Sequence, residues 1–170
     1  MQEYSQQAHP FAPVVDENCR VLVLGSFPSV KSRENDFYYG HPQNRFWKML
    51  AGVFGECVPE TIAEKKALLL RQHIALWDVL ERCEIVGSSD SSIRAAQAND
   101  LRRVLDVCNI QAILLNGKTA AKYYEKYCAD VEIAHEVLPS TSPANAAWSL
   151  EKLTQAWGEA LREYLPAENA

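Results

Sequence analysis

Two hydroxyl-bearing segments are the first places in this chain where residue types and spacing suit chemistry. In Gly25-Ser-Phe-Pro-Ser29 a tight turn carries two serines. Backbone N–H groups at such a turn can hold an oxygen acceptor, and Ser29 can donate to a phosphate; an ordinary strand-to-loop turn uses the same residues. In Leu138-Pro-Ser-Thr-Ser-Pro143 the hydroxyls of Ser140, Thr141 and Ser142 follow one another just before an expected helix. Helix N-termini attract anions, so the segment suits a phosphate, although capping the helix would need only one of the hydroxyls.

Asn116-Gly-Lys-Thr119 has the closing residues of a phosphate-binding loop, but the position where that pattern needs its first glycine is Ala112. A strand-end turn opening a helix, with Lys118 free to meet a phosphate or the solvent, explains these residues better. Tyr38-Tyr-Gly-His-Pro-Gln-Asn-Arg-Phe-Trp47 gathers aromatics, an amide and a histidine. Phe46 belongs to a helix core and Asn44 can cap that helix, while Tyr38 or Tyr39 is placed to stack on a base. His41 has no partner suggesting a metal, and no metal or cofactor is expected. Neither a Gly-x-Ser-x-Gly elbow nor a His-Glu-x-x-His pair occurs, which removes support for serine hydrolase and metallopeptidase chemistry.

The elements that must position these segments alternate between strand and helix. Strands are expected at 20–25, 73–80, 110–115 and 131–138, from short apolar, β-branched runs with turn residues at their ends. Helices are expected at 44–54, stopped by Gly55; from Thr61, which forms a capping box with Glu64; at 95–108; after Asn116-Gly117, carrying Ala120, Tyr124 and Tyr127; and at 145–164, with Pro166 as its stop. Residues 26–43 and 87–92 read as loops, and residues 1–18 as a loosely held lead-in. The pattern predicts a three-layer α/β/α fold with a short, mostly parallel central sheet, forming one domain over 1–170. Ligands of such sheets bind outside the carboxyl ends of the strands. Those ends carry Gly25, Asp78, Asn116-Gly117 and the 138–143 segment.

Composition sets the outer limits. At 170 residues, 48% hydrophobic and 23% charged, the chain suits a globular domain with a real core and excludes a disordered or fibrous class. No apolar run reaches the roughly 20 residues of a membrane helix. The five cysteines show no Cys-x-x-Cys spacing, so reduced thiols in a cytoplasmic monomer are expected rather than a zinc site or disulfides. A net charge of -5 argues against wrapping nucleic acid through overall charge, but leaves room for a small patch gripping a few phosphates.

Taken in order, Gly25-Ser-Phe-Pro-Ser29, His41-Pro-Gln-Asn-Arg-Phe-Trp47 and Leu138-Pro-Ser-Thr-Ser142 resemble the motifs of the uracil-DNA glycosylase superfamily. The middle segment is similar to the mismatch-specific uracil/thymine glycosylases. The first is similar to the hypoxanthine-DNA (deoxyinosine) glycosylases. Most members carry Asp or Asn at the third position of the first motif; here it is Phe27, which can polarise nothing. The resemblance implies that catalysis passes to Asn44, and that Asp78 stands where a base-reading asparagine ends the second strand.

It also implies a monofunctional enzyme that hydrolyses the N-glycosidic bond of a deaminated base in DNA. The base leaves the stack first, because its C1′ is out of reach inside the duplex. Ser26, Phe27, Tyr38, Tyr39, Asp78 and Asn116 would form the base pocket. Ser29, Gly117, Lys118, Ser140, Thr141 and Ser142 would bind phosphates. Pro143, Ala144 and Asn145 would enter the gap left in the duplex. No lysine is compellingly placed as a nucleophile, Lys31 being the one to watch, and Asp36 is a reserve carboxylate. A uracil or mismatch glycosylase and a non-catalytic nucleic-acid or nucleotide-binding module remain the alternatives.

Overall fold

The run Val-Leu-Val-Leu before Gly25 is buried along its whole length and forms β2 (Val21–Gly25), one of two inner strands of a parallel sheet. A computed structural model describes residues 3–35 and 37–165; the expectations for Asp36 and Pro166 lie outside the described residues. β3 (Ile74–Asp78) and β6 (Ala112–Asn116) pair with β2 on either side, and β7 (Ala134–Leu138) completes the order β3-β2-β6-β7. The register sets Gly25 beside Asp78 and Asn116 beside Leu138, so the functional segments share one edge.

Helices flank this sheet, giving the expected layered α/β fold. α2 (Phe46–Phe54) packs on α6 (Leu150–Tyr164), α3 (Ile62–Arg71) on β3, and α5 (Lys118–Tyr127) on β6. α2 ends at Gly55, whose φ of 64° lies in the left-handed region that glycine enters without a Cβ clash. Thr61 caps α3, accepting from the Glu64 N–H at 3.1 Å; the Glu64 carboxylate accepts from the Glu60 N–H rather than from Thr61. No helix among the described residues is long and apolar enough to cross a membrane.

Four expectations are corrected. The supposed lead-in contains β1 (Ser5–Ala8), which pairs antiparallel with β4 (Leu80–Ile85), and its Val14 is buried and bridged to Leu76. The helix expected at 95–108 is instead β5 (Arg94–Ala98) followed by the short α4 (Arg102–Leu105). Alanine-rich β5 has helix-forming residues, but pairing with β4 in a second, three-stranded sheet overrides that preference. The 26–43 loop contains α1 (Val30–Asn35), capped by Ser29, which accepts from the Ser32 N–H. Finally, α6 starts at Leu150 with Ser149 as its cap, because residues 142–148 form successive turns. The hydroxyls of 140–142 therefore do not sit at that helix's N-terminus.

Candidate active site

A cleft of about 360 Å³ opens along the carboxyl ends of the parallel strands. Three segments distant in sequence meet on its wall through one hydrogen-bonded chain. The Asn116 amide donates to Thr141 Oγ1 at 3.1 Å, and Thr141 Oγ1 donates to Asn44 Oδ1 at 2.9 Å. The Thr141 N–H returns a bond to Asn116 Oδ1 at 3.0 Å. Asn44 Oδ1 also accepts from the Phe46 N–H at 3.0 Å, so both its lone pairs are taken. Asn44 Nδ2 has no protein partner among the described residues. Thr141 is fully buried, so its hydroxyl ties two asparagines together and is not presented to solvent.

The opposite part of the cleft is built on the end of β2. The carbonyls of Gly25 and Ser26 accept from the N–H groups of Val79 and Leu80, whereas the N–H groups of Ser26 and Phe27 have no partner among the described residues. Tyr39 lines the cleft with a left-handed φ of 53°, its ring packed on Phe46 at 4.2 Å. Its hydroxyl is buried without a well-formed hydrogen bond among the described residues and lies beside the Asn116 amide; burial, with Asp78 nearby, pushes its pKa far up. Tyr38 touches the cleft wall but is otherwise core: it is 1% exposed, and its hydroxyl donates to the Ala12 carbonyl.

Asp78 is 3% exposed, and its Oδ2 lies 2.8 Å from His9 Nε2. His9 Nδ1 lies 2.7 Å from the Phe11 carbonyl. His9 thus bridges the Phe11 carbonyl and the Asp78 carboxylate through its two ring nitrogens. A Cβ on Gly25 would stand 2.4 Å from the other carboxylate oxygen, which shows how tightly Asp78 is packed behind the turn.

A family model described as the uracil DNA glycosylase superfamily matches residues 12–165. This chain belongs to that superfamily. A hypoxanthine DNA glycosylase of Methanosarcina barkeri is 34% identical over 154 residues, covering 89% of this chain and 96% of its own. A hypoxanthine DNA glycosylase of Methanosarcina acetivorans is 37% identical over 141 residues, covering 82% and 89%. The solution NMR structure of a Methanosarcina acetivorans protein, provisionally titled a uracil DNA glycosylase, has a TM-score of 0.75 at 34% identity. It covers 90% of this chain and 95% of that one.

The other expected site residues are placed as follows. Ser26, Phe27, Ser29, Ser140, Ser142, Pro143 and Ala144 line the cleft, with Pro143 and Ala144 exposed at the tip of a loop. Gly117 and Lys118 are not on the cleft, and neither is Lys31, which pairs with Glu34 at 3.3 Å. Gly117 has a φ of 98°, and a Cβ there would come within 2.9 Å of Ser140 Cβ, so it lets the 138–143 loop approach β6. Asn145 turns inward, its amide donating to the Ser140 carbonyl at 3.0 Å. No cluster of metal-binding side chains occurs among the described residues.

Sequence reasoning missed Arg45, His9 and Asp90. Arg45 donates to the carbonyls of Trp148, Ser142 (2.9 Å) and Asn145 (3.1 Å), clamping the loop that carries the hydroxyls. Its only signal was its place inside the aromatic motif. Arg45→Ala is expected to lower the unfolding midpoint and to expose residues 139–149 to limited proteolysis, since three charge-assisted bonds to carbonyls are lost. Unchanged protease resistance would show that the loop holds itself. His9 lay in a polar segment without apolar periodicity, and Asp90 in a serine-rich loop.

Proposed function

We propose that this protein is a monofunctional DNA glycosylase that hydrolyses the N-glycosidic bond of deoxyinosine, releasing hypoxanthine. The observation that carries this is the cleft's convergence of the Asn44–Thr141–Asn116 chain with a stacking Tyr39 and the unpaired amides of Ser26 and Phe27. The names of the two relatives that match most of the chain support the choice of base.

In this reading the extruded base stacks on Tyr39, whose position is fixed by Phe46 behind it. After serving Thr141, Asn116 keeps one lone pair that suits the N1–H of hypoxanthine, and its other N–H lies beside the Tyr39 hydroxyl. The Ser26 and Phe27 amides point fixed dipoles at the charge that grows on the departing base. Asn44 presents Nδ2, not its carbonyl, so it holds water by an oxygen lone pair and cannot take its proton. The C1′–N bond must then be largely broken before water adds to the cationic sugar. No lysine lines the cleft to form a Schiff base, in keeping with hydrolysis alone. Ser140 and Ser142 meet phosphates, whereas the Ser29 hydroxyl is held by Ser32, donating to its Oγ and accepting from its N–H; the exposed Pro143 and Ala144 fill the gap left by the base.

The test is a duplex panel carrying inosine, uracil or a T·G mismatch, read by alkaline cleavage at abasic sites. Strand breaks at inosine, well above those at uracil, are expected. Robust uracil release without inosine cleavage would transfer the assignment to the uracil enzymes, and no product from any lesion would leave a binding module.

A further inference from the structure

Two carboxylates line the cleft, and they are held in different ways. Asp78 is packed behind Gly25 and bonded to His9, with almost no exposed surface. The turn Asp90–Ser92 is exposed at the surface, while the Asp90 carboxylate lines the cleft and lies against Ser26. Its Oδ1 accepts from Ser26 Oγ at 3.2 Å, which sets it next to the amides that face the departing base. The loop carrying it is fastened down. Val30 N–H donates to Ser88 Oγ at 2.8 Å, Arg33 donates to the Gly87 carbonyl at 2.7 Å, and Val86 N–H donates to Ser92 Oγ at 2.9 Å.

We propose that Asp90 is a catalytic acid that protonates a ring nitrogen, N3 or N7, of the purine as it departs. This rests on the deoxyinosine reading above. As the C1′–N9 bond breaks, its electron pair stays on N9, and the Asp90 proton moves to the ring nitrogen, so hypoxanthine leaves neutral. Water adds its oxygen to C1′ and gives up a proton to solvent, from which Asp90 is reprotonated. Uracil has no ring nitrogen with a free in-plane lone pair, so the same acid gives it no help and favours a purine lesion.

The surroundings suit an acid. Withdrawal from water raises the Asp90 carboxyl above its ordinary value; the Ser26 hydroxyl opposes this, the Asp78 charge adds to it, and the Thr119 hydroxyl of α5 opposes it. The other titratable groups facing Asp90 are Tyr39, Cys83 of β4 and Tyr123 of α5, all shifted upward by burial and so neutral near pH 7. Because the protonated form acts, the rate should fall as pH rises through the Asp90 titration.

The test compares single-turnover cleavage by the parent and Asp90→Asn proteins on duplexes carrying deoxyinosine, 3-deaza-deoxyinosine or 7-deaza-deoxyinosine, across pH. General acids contribute roughly 10²–10⁴-fold, so Asp90→Asn should slow inosine cleavage at least about 10²-fold and lose the falling limb. A falling limb that survives unchanged in Asp90→Asn would count against the proposal. The Asp90→Asn penalty should vanish on whichever deaza base lacks the accepting nitrogen. An equal penalty on all three bases, or no penalty on inosine, would overturn the proposal. Should Asp90→Asn not fold, the parent protein decides: a steep loss on one deaza base supports the acid, and equal cleavage of all three overturns it. Failure of the parent to release hypoxanthine at all would instead overturn the underlying deoxyinosine reading.

Discussion

Asn44→Ala is expected to reduce single-turnover cleavage of inosine DNA by about 10²-fold or more while leaving a folded protein. Each tenfold loss corresponds to about 1.4 kcal/mol of transition-state stabilisation. The structural cost is separable. The variant strands two donors, the Phe46 N–H and the Thr141 hydroxyl, at a cost on the order of 1–3 kcal/mol of stability. Measuring cleavage and unfolding midpoint on the same preparation distinguishes the roles, because a purely structural asparagine would move the midpoint and leave the rate of the folded fraction intact. A folded Asn44→Ala protein that cleaves at the parent rate would remove Asn44 from the mechanism.

Gly25→Ala should be nearly as damaging through a different route. The added methyl would meet Asp78 Oδ1 at 2.4 Å and the Tyr39 hydroxyl at 2.9 Å, closer than carbon and oxygen approach without displacement. Asp78 cannot swing aside without breaking its bond to His9, and Tyr39 is backed by Phe46. Overpacking of this kind costs about 1–3 kcal/mol. The shift of Tyr39 should lower cleavage at least tenfold, with inosine affected more than affinity for undamaged duplex. Parent-like melting and cleavage together would mean that the turn has slack absent from this geometry.

The strands of the parallel sheet were legible because each is an apolar run bounded by turn residues, and parallel strands buried on both faces leave that signature. The alignment of Gly25, Asp78 and Asn116 on one rim followed from topology alone. The second sheet was not legible. β1 is polar and β5 is alanine-rich, so both become strands only because β4 offers them partners. The same limit hid the site's connections. His9 and Asp78 are 69 residues apart, and no local pattern announces their bond. Ser140, Thr141 and Ser142 look equivalent as a hydroxyl run, yet the middle one turns wholly inward to join Asn44 to Asn116. Distinguishing them requires the chain's three-dimensional path.

The superfamily match begins at residue 12, yet the support of the Asp78 carboxylate begins at His9, the residue after β1. The working boundary of this enzyme therefore lies upstream of its family boundary. A strand that shares none of the family's motifs leads into the histidine that braces Asp78 from behind the cleft, and whatever loosens the N-terminus, a fused partner or a proteolytic nick, is transmitted through His9 to the packing behind Gly25.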